Sequence, residues 1–538
     1  MEPLPDELSL EAEANMAFDS LKPSPTVCEP EINTEYAVTT ADVLWSIRRS
    51  RTTSTGPDLV SNVMLKQAHH SLSYHLTRLF NFSLASGYVP RHWRSSIAVA
   101  VPKPHKPSDT VSGYRPICLS SCISKVLERV VARDITAVWA DQDFLPPTQF
   151  AFQPQKSTTD AILTLAHAGH VALAEHRELV IAALDVQAAY DSVWLPGLIL
   201  CLLRSPIGAS PLIAWMKSFL TNRTVSVRVG THTTPSFPVR RGIPQGSPLS
   251  PPLYVTFTAP LLRELGDSVV AYADDITLHA SAHTAAMAAA RVQADLRTVE
   301  RWGRAWRSSF NATKSSCLAV AHYHRRVRLT IDCSTIPQTR ELLMLGVTLT
   351  PRLGWFRHVD RRVRNATMAV NAFRRLARRP GPPRVKLRLY TAVIRPKLDF
   401  AAPAWAGAPD WLTARFQRIQ NKCLRAILPS PRLTNELRHQ ILRLPSLVDR
   451  LQDLRARYCT QPTPAVLNLL ADGRYGQPQA SRSPATHLAR LLPPGPIPPY
   501  RPVRRHAAHA AMASSWRRQG SVVARRRRAA VPIFYGVG

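Results

Sequence analysis

Long hydrophobic runs are absent from this chain of 538 residues. The longest apolar stretch, around residues 193–203, is about half of the roughly 20 residues that a membrane-spanning helix needs. Cysteine is also scarce: the 8 cysteines include no CxxC pair and have no His-rich companion segment, which speaks against structural zinc and favours a reducing compartment. The acidic residues 1–19 do not fit a secretory signal. We therefore expect an intracellular protein that does not enter the membrane.

Acidic side chains are few, and their placement is uneven. Asp and Glu number 36 against 69 Lys and Arg, a net charge of +33, yet residues 1–42 carry ten acids and a single base. Residues 351–538 hold 36 basic and 7 acidic side chains. A polyanion would neutralise such self-repulsion, so nucleic acid is the favoured partner. A basic surface that is merely solvated would explain a few excess positive charges but not an excess of this size. A membrane surface is disfavoured as the partner because the basic residues do not lie on one amphipathic helix.

The composition, 45 % hydrophobic and 20 % charged, is that of a globular protein, and the length allows several domains. Residues 1–35 are interpreted as an acidic disordered tail, and residues 461–538, rich in Pro and Arg, as a second disordered tail. Its run Arg525–Arg528 is compatible with a nuclear signal or with a solvated, RNA-binding run, so nucleus and cytoplasm both remain open.

Periodicity predicts both helices and strands. Thr39 and Asp42 are spaced as a capping box that opens a helix. In the middle of the chain, a strand, a helix, a hairpin, a helix and a further strand follow in the order of a split βαβ layer, which indicates the α+β class. The predicted helices cover residues 64–86, 121–137, 158–175, 284–307, 359–379, 384–398, 411–428 and 436–458; the predicted strands cover 179–184, 225–229 and 316–321, and the hairpin covers 268–280.

Two acidic positions suggest chemistry. Asp185 ends an apolar strand, and Asp274 and Asp275 lie at the tip of the predicted hairpin. Two like charges about 4 Å apart repel by roughly 4 kcal/mol at an effective dielectric constant near 20, and a divalent metal would turn this repulsion into attraction. By itself an Asp-Asp pair can also be a solvated turn. Between the acidic positions, the Gly- and Pro-bearing loop around Gln245 and Gly246 opens a helix, where backbone N–H groups and the Gln245 side chain could face a substrate, or it is an ordinary connection.

The order of these segments resembles a reverse transcriptase. LDVQAAYD at 184–191, GIPQGSPLSP at 242–251 and YADD at 272–275 follow the order and spacing of that family. The resemblance covers about residues 36–460 and is to the polymerases of jockey-like non-LTR (LINE-type) retrotransposons. Its further motifs are GPD at 56–58, PKP at 102–104, GYRPI at 113–117, KVLE at 125–128, QFAF at 149–152, KSTT at 156–159, Trp302, Trp306, Asn311 and Lys314, and LGV at 345–347.

This resemblance implies a right-hand polymerase of the α+β class, with fingers, a split-βαβ palm and a helical thumb. Fingers and palm would occupy residues 85–350 and the basic thumb residues 351–460, after an N-terminal helical extension over residues 36–84. The implied activity is RNA-directed DNA synthesis, with an RNA template, a DNA primer and deoxynucleoside triphosphates (dNTPs) as partners. Two Mg²⁺ ions are the implied cofactors, with Mn²⁺ as the alternative metal.

Site residues follow from the resemblance position by position. Asp185 and Asp274 match the principal metal ligands, Asp275 the third acid, and the carbonyl of Val186 a backbone ligand. Tyr190 matches the aromatic residue beneath the ribose C2′, where a ring excludes a 2′-hydroxyl and favours deoxynucleotides. The remaining matches are Lys103, Arg115, Gln245 and Gly246 for nucleotide binding, Lys314 as the lysine that protonates the leaving group, and Leu345, Gly346 and Val347 as the primer grip.

The sequence departs from the family at Ala151, Gln153 and Tyr190, where Gly, Arg and Phe are commoner. No apurinic-type endonuclease, RNase H or CCHC pattern is present, so we expect a fragment or truncated copy of an element, with the endonuclease supplied elsewhere if it retrotransposes. Two alternatives stay open: a catalytically inactive relic that binds RNA or DNA, and a structural RNA-binding protein that uses the same scaffold.

Overall fold

A computed structural model describes residues 5–21, 36–103, 109–110, 113–208 and 210–460 of the chain. Its helices are α1 (Pro5–Ser20), α2 (Thr40–Arg49), α3 (Asn62–Gln67), α4 (His69–Ser86), α5 (Cys122–Asp141), α6 (Thr158–Ala174), α7 (Ala189–Ser192), α8 (Leu195–Leu203), α9 (Leu212–Leu220), α10 (Ser250–Leu265), α11 (Ala285–Ala305), α12 (Phe356–Ala377), α13 (Pro383–Leu389), α14 (Arg395–Asp399), α15 (Asp410–Ile427), α16 (Asn435–Ile441) and α17 (Leu447–Thr460).

The strands fall between these helices. They are β1 (Ser95–Pro102), β2 (Tyr114–Leu119), β3 (Glu178–Asp185), β4 (Arg223–Val229), β5 (His232–Thr233), β6 (Phe237–Val239), β7 (Val269–Tyr272), β8 (Asp275–Ala282), β9 (Ser316–Val320), β10 (Leu329–Ile331), β11 (Ser334–Ile336), β12 (Leu342–Met344) and β13 (Val347–Leu349). Together with the helices they confirm the α+β class.

A four-stranded antiparallel sheet organises the middle of the chain, with strand order β7-β8-β3-β9. Strand β3 is one of the two inner strands. The chain passes from β3 to β7 through helices α7–α10 and the strands β4–β6, and from β8 to β9 through α11. The sheet therefore pairs the end of β3 directly with the start of β8.

Strand β3 is buried on both faces. Val180, Ala182 and Leu184 contact the apolar core that contains α8, α10 and α11, whereas Leu179 and Ile181 contact a second core built by α6 and the C-terminal helices. Alternate side chains of a strand point to opposite faces, so this continuous apolar run places the sheet between two helical layers.

A second sheet has the order β2-β1-β4-β5, with β6 also paired to β4. Strands β1 and β2 form an antiparallel hairpin, and β1 runs parallel to β4. After residue 355 the described chain is helical, and α12 packs on α15. Two short hairpins, β10–β11 and β12–β13, lie between the central sheet and these helices.

Local sequence signals agree with several boundaries. The capping box is confirmed: Thr39 N–H donates to Asp42 Oδ2 at 3.0 Å, and Asp42 N–H donates to Thr39 Oγ1 at 3.2 Å. The helix predicted over 64–86 is divided at Ala68 into α3 and α4. The helix predicted over 436–458 is likewise divided, because Arg443 adopts a φ of 48° and Pro445 provides no N–H for a helical bond.

The acidic N-terminus differs from the sequence prediction of a tail over residues 1–35. Helix α1 packs on α8 and α11, and Ala14 is fully buried. Glu13 pairs with Arg204 at 2.7 Å, Glu11 pairs with Arg307, and Lys217 Nζ donates to the carbonyl of Leu21 at 2.9 Å. The amphipathic signal within α1 is weak, so its order depends on partners that lie 191 to 296 residues away along the chain. The rest of that predicted tail, and the predicted tail over residues 461–538, lie outside the described residues.

Two further findings concern the sequence-based exclusions. Among the described residues, no helix combines the length and apolarity needed to cross a bilayer. The described cysteines form no disulfide with one another.

Substitutions in helix α1 test whether its buried apolar contact or its exposed ion pairs hold it on the protein. Exposed ion pairs contribute about 0–1 kcal/mol each, whereas a carboxylate forced into the buried Ala14 position costs considerably more. We expect Ala14→Glu to abolish hydrogen-exchange protection over residues 5–20 and the double variant Glu11→Gln, Glu13→Gln to preserve most of it. Equal loss of protection in both variants would contradict an apolar anchor.

Candidate functional site

Three carboxylates meet at one end of the central sheet. Asp185 is the last residue of β3 and lies opposite Asp275, the first residue of β8. Asp274 belongs to the two-residue turn between β7 and β8, directly before Asp275. The sequence analysis predicted a strand ending at Asp185 and a hairpin with Asp274 and Asp275 at its tip, and the strand pairing brings the two elements together.

The turn that carries Asp274 has a strained backbone, and a buried side chain holds it by hydrogen bonding. Ala273 adopts a φ of 57°, in the left-handed region that a non-glycine residue seldom occupies. Its N–H donates to Oε1 of Gln149, a fully buried side chain, at 3.0 Å. The same Oε1 accepts the N–H of Ala151 at 3.0 Å, so one amide ties the QFAF segment to the turn.

Burial and nearby negative charge disfavour the ionised forms of Asp274 and Asp275. Burial, followed by the charges of Asp274 and Asp185, raises the pKa of Asp275 from its ordinary 3.8 to about 6. Burial and the Asp185 charge also raise the pKa of Asp274, whereas the positive charge of Arg115 lowers it. A cation bound among these groups would remove the repulsion that their shared location creates.

Asp185 is held on its other side by the segment that leads into β9. Ser315 Oγ accepts the Asp185 N–H at 3.1 Å, and the Asp185 carbonyl accepts the N–H of Asn311 at 2.9 Å. Lys314 Nζ lies 3.6 Å from Asp185 Oδ2. The structure therefore places the predicted lysine at the carboxylate cluster.

Val186 continues β3 as an isolated bridge to Phe310. The flanking hydrogen bonds run from Gln187 N–H to the Ser309 carbonyl and from Asn311 N–H to the Asp185 carbonyl, each 2.9 Å long. The Val186 carbonyl takes part in neither of these two bonds, and its role as a backbone metal ligand stays a prediction.

The donor set fits a hard divalent cation, although the protein alone does not enclose one. Within the residues that the structure describes, no group of three His, Cys, Asp or Glu side chains is arranged to hold a metal ion. Mg²⁺ is usually held by one or two carboxylates together with substrate phosphates and water. An open cluster of oxygen donors with a raised Asp275 pKa is consistent with that mode.

Tyr190 lies next to these carboxylates. Its ring stacks on Tyr254 with a centroid distance of 5.0 Å and an interplanar angle of 8°. Burial, with a contribution from the negative charge of Asp274, raises the pKa of Tyr190 to about 12. The half-buried Tyr190 ring thus packs on the fully buried Tyr254 ring, close enough to Asp274 to be affected by its charge.

The loop over residues 242–251 passes beside β2 and α7. Gln245 Nε2 donates to Asp191 Oδ2 at 2.8 Å, and the Gln245 carbonyl accepts the N–H of Cys118 at 2.9 Å. Gly246 has a φ of 110°, and a Cβ there would lie 3.0 Å from the Cys118 carbonyl oxygen. Gly246 therefore permits both the turn and the close approach of β2 to the loop.

Two buried charged side chains hold this loop, and the sequence analysis did not assign either to the site. Glu128, fully buried on α5, accepts hydrogen bonds from Ser124 Oγ at 2.6 Å and from Ser247 Oγ at 2.5 Å. Arg223, buried at the start of β4, donates to the carbonyls of Gly242 and Arg241. Glu128 lies in the quoted KVLE motif, but an isolated glutamate or arginine in an element gives no local signal that it is buried against a distant loop.

The predicted phosphate-binding residues lie on the β1–β2 hairpin. Arg115 is exposed on β2, and its charge reaches Asp274. Lys103 follows β1, and its N–H donates to the Gly113 carbonyl at 2.7 Å. The structure brings Arg115 into the electrostatic surroundings of the carboxylates, and the role of Lys103 in phosphate binding stays a prediction.

The predicted primer grip is the turn between β12 and β13. Leu345 and Gly346 both have positive φ, 47° and 85°, which is typical of a two-residue hairpin turn. A Cβ at Gly346 would lie 3.2 Å from the ring of Phe400, and Val347 is fully buried. The turn is thus packed against the C-terminal helical part of the chain.

Comparisons with known proteins show what the chain is similar to. Residues 101–349 match the family described as reverse transcriptase (RNA-dependent DNA polymerase). A probable RNA-directed DNA polymerase from transposon X-element of Drosophila melanogaster is 28 % identical over 421 residues, which cover 77 % of this chain and 46 % of that protein. The RNA-directed DNA polymerase from mobile element jockey of the same species is 27 % identical over 429 residues, covering 75 % of this chain and 45 % of that protein.

Among solved structures, an apo telomerase from Candida tropicalis covers 52 % of this chain and 59 % of its own, with a TM-score of 0.34 and 12 % identity. The chain spans about half the length of the curated relatives it matches. The resemblance seen in the sequence is confirmed: residues 101–349 match the reverse transcriptase family, and over about three quarters of its length the chain is similar to the RNA-directed DNA polymerases of jockey-like non-LTR retrotransposons.

Proposed function

We propose that this chain catalyses RNA-templated DNA synthesis for a jockey-like non-LTR retrotransposon. The observation that carries the proposal is the meeting of Asp185, Asp274 and Asp275 at one end of the central sheet, within the segment that matches the reverse transcriptase family.

In this proposal the chain folds as a right hand. Fingers and palm occupy residues 85–350: the sheet β7-β8-β3-β9 with α10 and α11 is the split-βαβ palm, and the β1–β2 hairpin belongs to the fingers, after the helical extension over residues 36–84. The arginine-rich helices over residues 351–460 form the thumb, against which the Leu345–Gly346–Val347 turn grips the primer. Support comes from the order of the elements and from the packing of Gly346 on Phe400.

The reaction joins the primer 3′-hydroxyl oxygen to the α-phosphorus of a dNTP and breaks the bond to pyrophosphate. Asp185, Asp274, Asp275 and the Val186 carbonyl would hold two Mg²⁺ ions, which supply charge neutralisation at the reacting phosphate. Arg115 and Lys103 would bind the triphosphate, and Lys314, close to Asp185, would hold the proton that the departing pyrophosphate receives.

The decisive test is primer extension on an RNA template. We expect dNTP incorporation with Mg²⁺, none with chelator, and a loss of at least about a thousandfold in Asp274→Asn, because several kcal/mol of transition-state stabilisation disappear. Asp332→Asn, which removes an exposed acid from the β10–β11 turn, is the matched control. A folded wild-type chain that binds RNA but extends no primer would leave the relic or the RNA-binding scaffold as the function.

Sugar selection is proposed to depend on the Tyr190 ring. Tyr190→Ala removes the ring that would clash with a 2′-hydroxyl, so we expect the preference for deoxy- over ribonucleotides to fall by at least about tenfold. Tyr190→Phe keeps the ring and its stacking on Tyr254, and we expect it to retain the preference. The measurement is kcat/KM for single-nucleotide incorporation, and unchanged discrimination in Tyr190→Ala would exclude this role.

The raised Asp275 pKa predicts a pH-dependent cost to the metal-free fold. Because the folded-state pKa of about 6 exceeds the ordinary 3.8, this carboxyl lowers stability progressively as the pH rises through that window. Asp275→Asn removes the cost, so its melting temperature in chelator should exceed that of the wild type at pH 8 and equal it near pH 4. We expect a difference of about 1–3 °C, since solvent screens a partly exposed group.

The same melting temperatures are then measured with added Mg²⁺. Added Mg²⁺ should raise the melting temperature of the wild type more than that of Asp275→Asn, because the variant has lost one anionic ligand. A melting difference that persists unchanged at pH 4 would show that the substitution acts through packing rather than through charge.

A further inference from the structure

A basic pocket lies away from the carboxylates, between the β9–β10 and β11–β12 connections. We name it the arginine pocket; its volume is about 440 Å³, and its wall includes His324, Arg326, Arg328, Gln338, Thr339 and Arg340. None of the residues that line it is acidic. Three guanidinium groups around one cavity repel each other unless an anion is bound there.

The backbone around the arginine pocket is fixed rather than loose. Gln338 Oε1 accepts the Val327 N–H at 3.1 Å, and Gln338 Nε2 donates to the Arg325 carbonyl at 2.6 Å. Gln338 also forms a bridge to Cys317 of β9, and Arg325 pairs with Glu178 of β3 at 2.7 Å. One glutamine thus joins the two connections and ties them to the central sheet.

The pocket arginines differ from their neighbours in their ion pairing. Arg325 pairs with Glu178, and Arg357 with Glu341 at 3.4 Å. Within the part of the chain that the structure describes, Arg326, Arg328 and Arg340 form no ion pair. A preorganised frame therefore presents unneutralised guanidinium groups, which suit the oxygens of phosphate groups.

An aromatic side chain adjoins the pocket. Tyr323, directly before the pocket residue His324, is 72 % exposed, one of the most exposed large apolar side chains described. Its backbone neighbour His322 is held by Arg352 Nε, which donates to the His322 carbonyl at 3.2 Å. Exposed rings beside basic grooves are the platforms on which proteins stack the bases of single strands.

We propose that the arginine pocket and Tyr323 form a binding site for single-stranded nucleic acid. Arg326, Arg328 and Arg340 contact successive backbone phosphates, and the Tyr323 ring stacks on an unpaired base. This site is separate from the carboxylate cluster and needs neither metal nor dNTP. The result of the binding test therefore does not depend on the polymerase activity proposed above.

The test is equilibrium binding of the full chain to a fluorescent 20-nucleotide RNA strand, in chelator and over a series of salt concentrations. In the triple variant Arg326→Gln, Arg328→Gln, Arg340→Gln, we expect the slope of log K against log salt to become shallower by about 2, since each single-strand phosphate contact contributes roughly 0.7. Tyr323→Ala should weaken binding by about 5- to 100-fold, and Tyr323→Phe should restore wild-type affinity.

Two matched controls distinguish the loss of this site from the loss of net charge and from the loss of any exposed aromatic ring. The first removes three positive charges that are already paired with Glu264, Asp360 and Asp453: Arg301→Gln, Arg364→Gln and Arg457→Gln. The second is Tyr74→Ala, which removes another exposed ring, on α4. We expect smaller changes in both, and a smaller effect of Tyr323→Ala on a duplex, whose bases are already stacked. A DNA strand of the same sequence tests whether the sugar matters.

A crosslinking experiment with the wild type tests the proposal even if the variants fail to fold. A strand that contains 4-thiouridine is irradiated on the protein, and the attached peptides are identified by mass spectrometry. We expect crosslinks within residues 322–328. Equal slopes in the triple variant and its control, or crosslinks only outside residues 322–328 and 338–340, would overturn the proposal.

Discussion

The mutual repulsion of Asp185, Asp274 and Asp275 is the interaction around which the described structure is arranged. Their proximity is imposed by the main chain, because β3 and β8 pair without interruption from Glu178 opposite Ala282 to Asp185 opposite Asp275. A slip of one residue would turn every side chain of β3 to the opposite face. The apolar side chains of β3 enter two different cores, so such a slip would exchange the side chains between the cores and spoil the packing of both. Hydrophobic burial thus fixes the register, and the register holds three like charges together.

Around this cluster, buried polar groups position the segments that the sheet does not reach. Gln149 supports the strained Ala273 turn, and Glu128 and Arg223 fix the loop that carries Gln245 and Gly246. An unpaired buried charge is costly, yet Glu128 is matched by two serine hydroxyls and Arg223 by backbone carbonyls. Each of these bonds depends on a geometry that only the complete fold provides. The loop and the turn therefore take their positions only when these distant elements have packed together.

Sequence reasoning succeeded where the signal is local. Thr39 and Asp42 predicted a capping box from their spacing, and the strand and hairpin patterns placed Asp185, Asp274 and Asp275 on the elements that the structure brings together. It failed where distant partners decide the outcome. Helix α1 has a weak pattern of its own and is ordered by burial of Ala14 and by Arg204 and Arg307. The hydrogen bond from Gln245 to Asp191 and the burial of Arg223 are likewise products of contacts that no short segment encodes.

The net charge of +33 cannot by itself deliver a polyanion to a cluster of carboxylates. At physiological ionic strength the Debye length is about 8 Å, so exposed arginines act mainly on the phosphates that they nearly touch. A strand that approached Asp185 along an uncharged surface would meet the repulsion of the carboxylates before it felt the remote basic helices. For the nucleic acid proposed above, attraction would therefore have to be distributed along its path, with Arg115 near the carboxylates and groups such as the arginine pocket farther out. The position of each unpaired guanidinium, more than their total number, determines where a strand can lie.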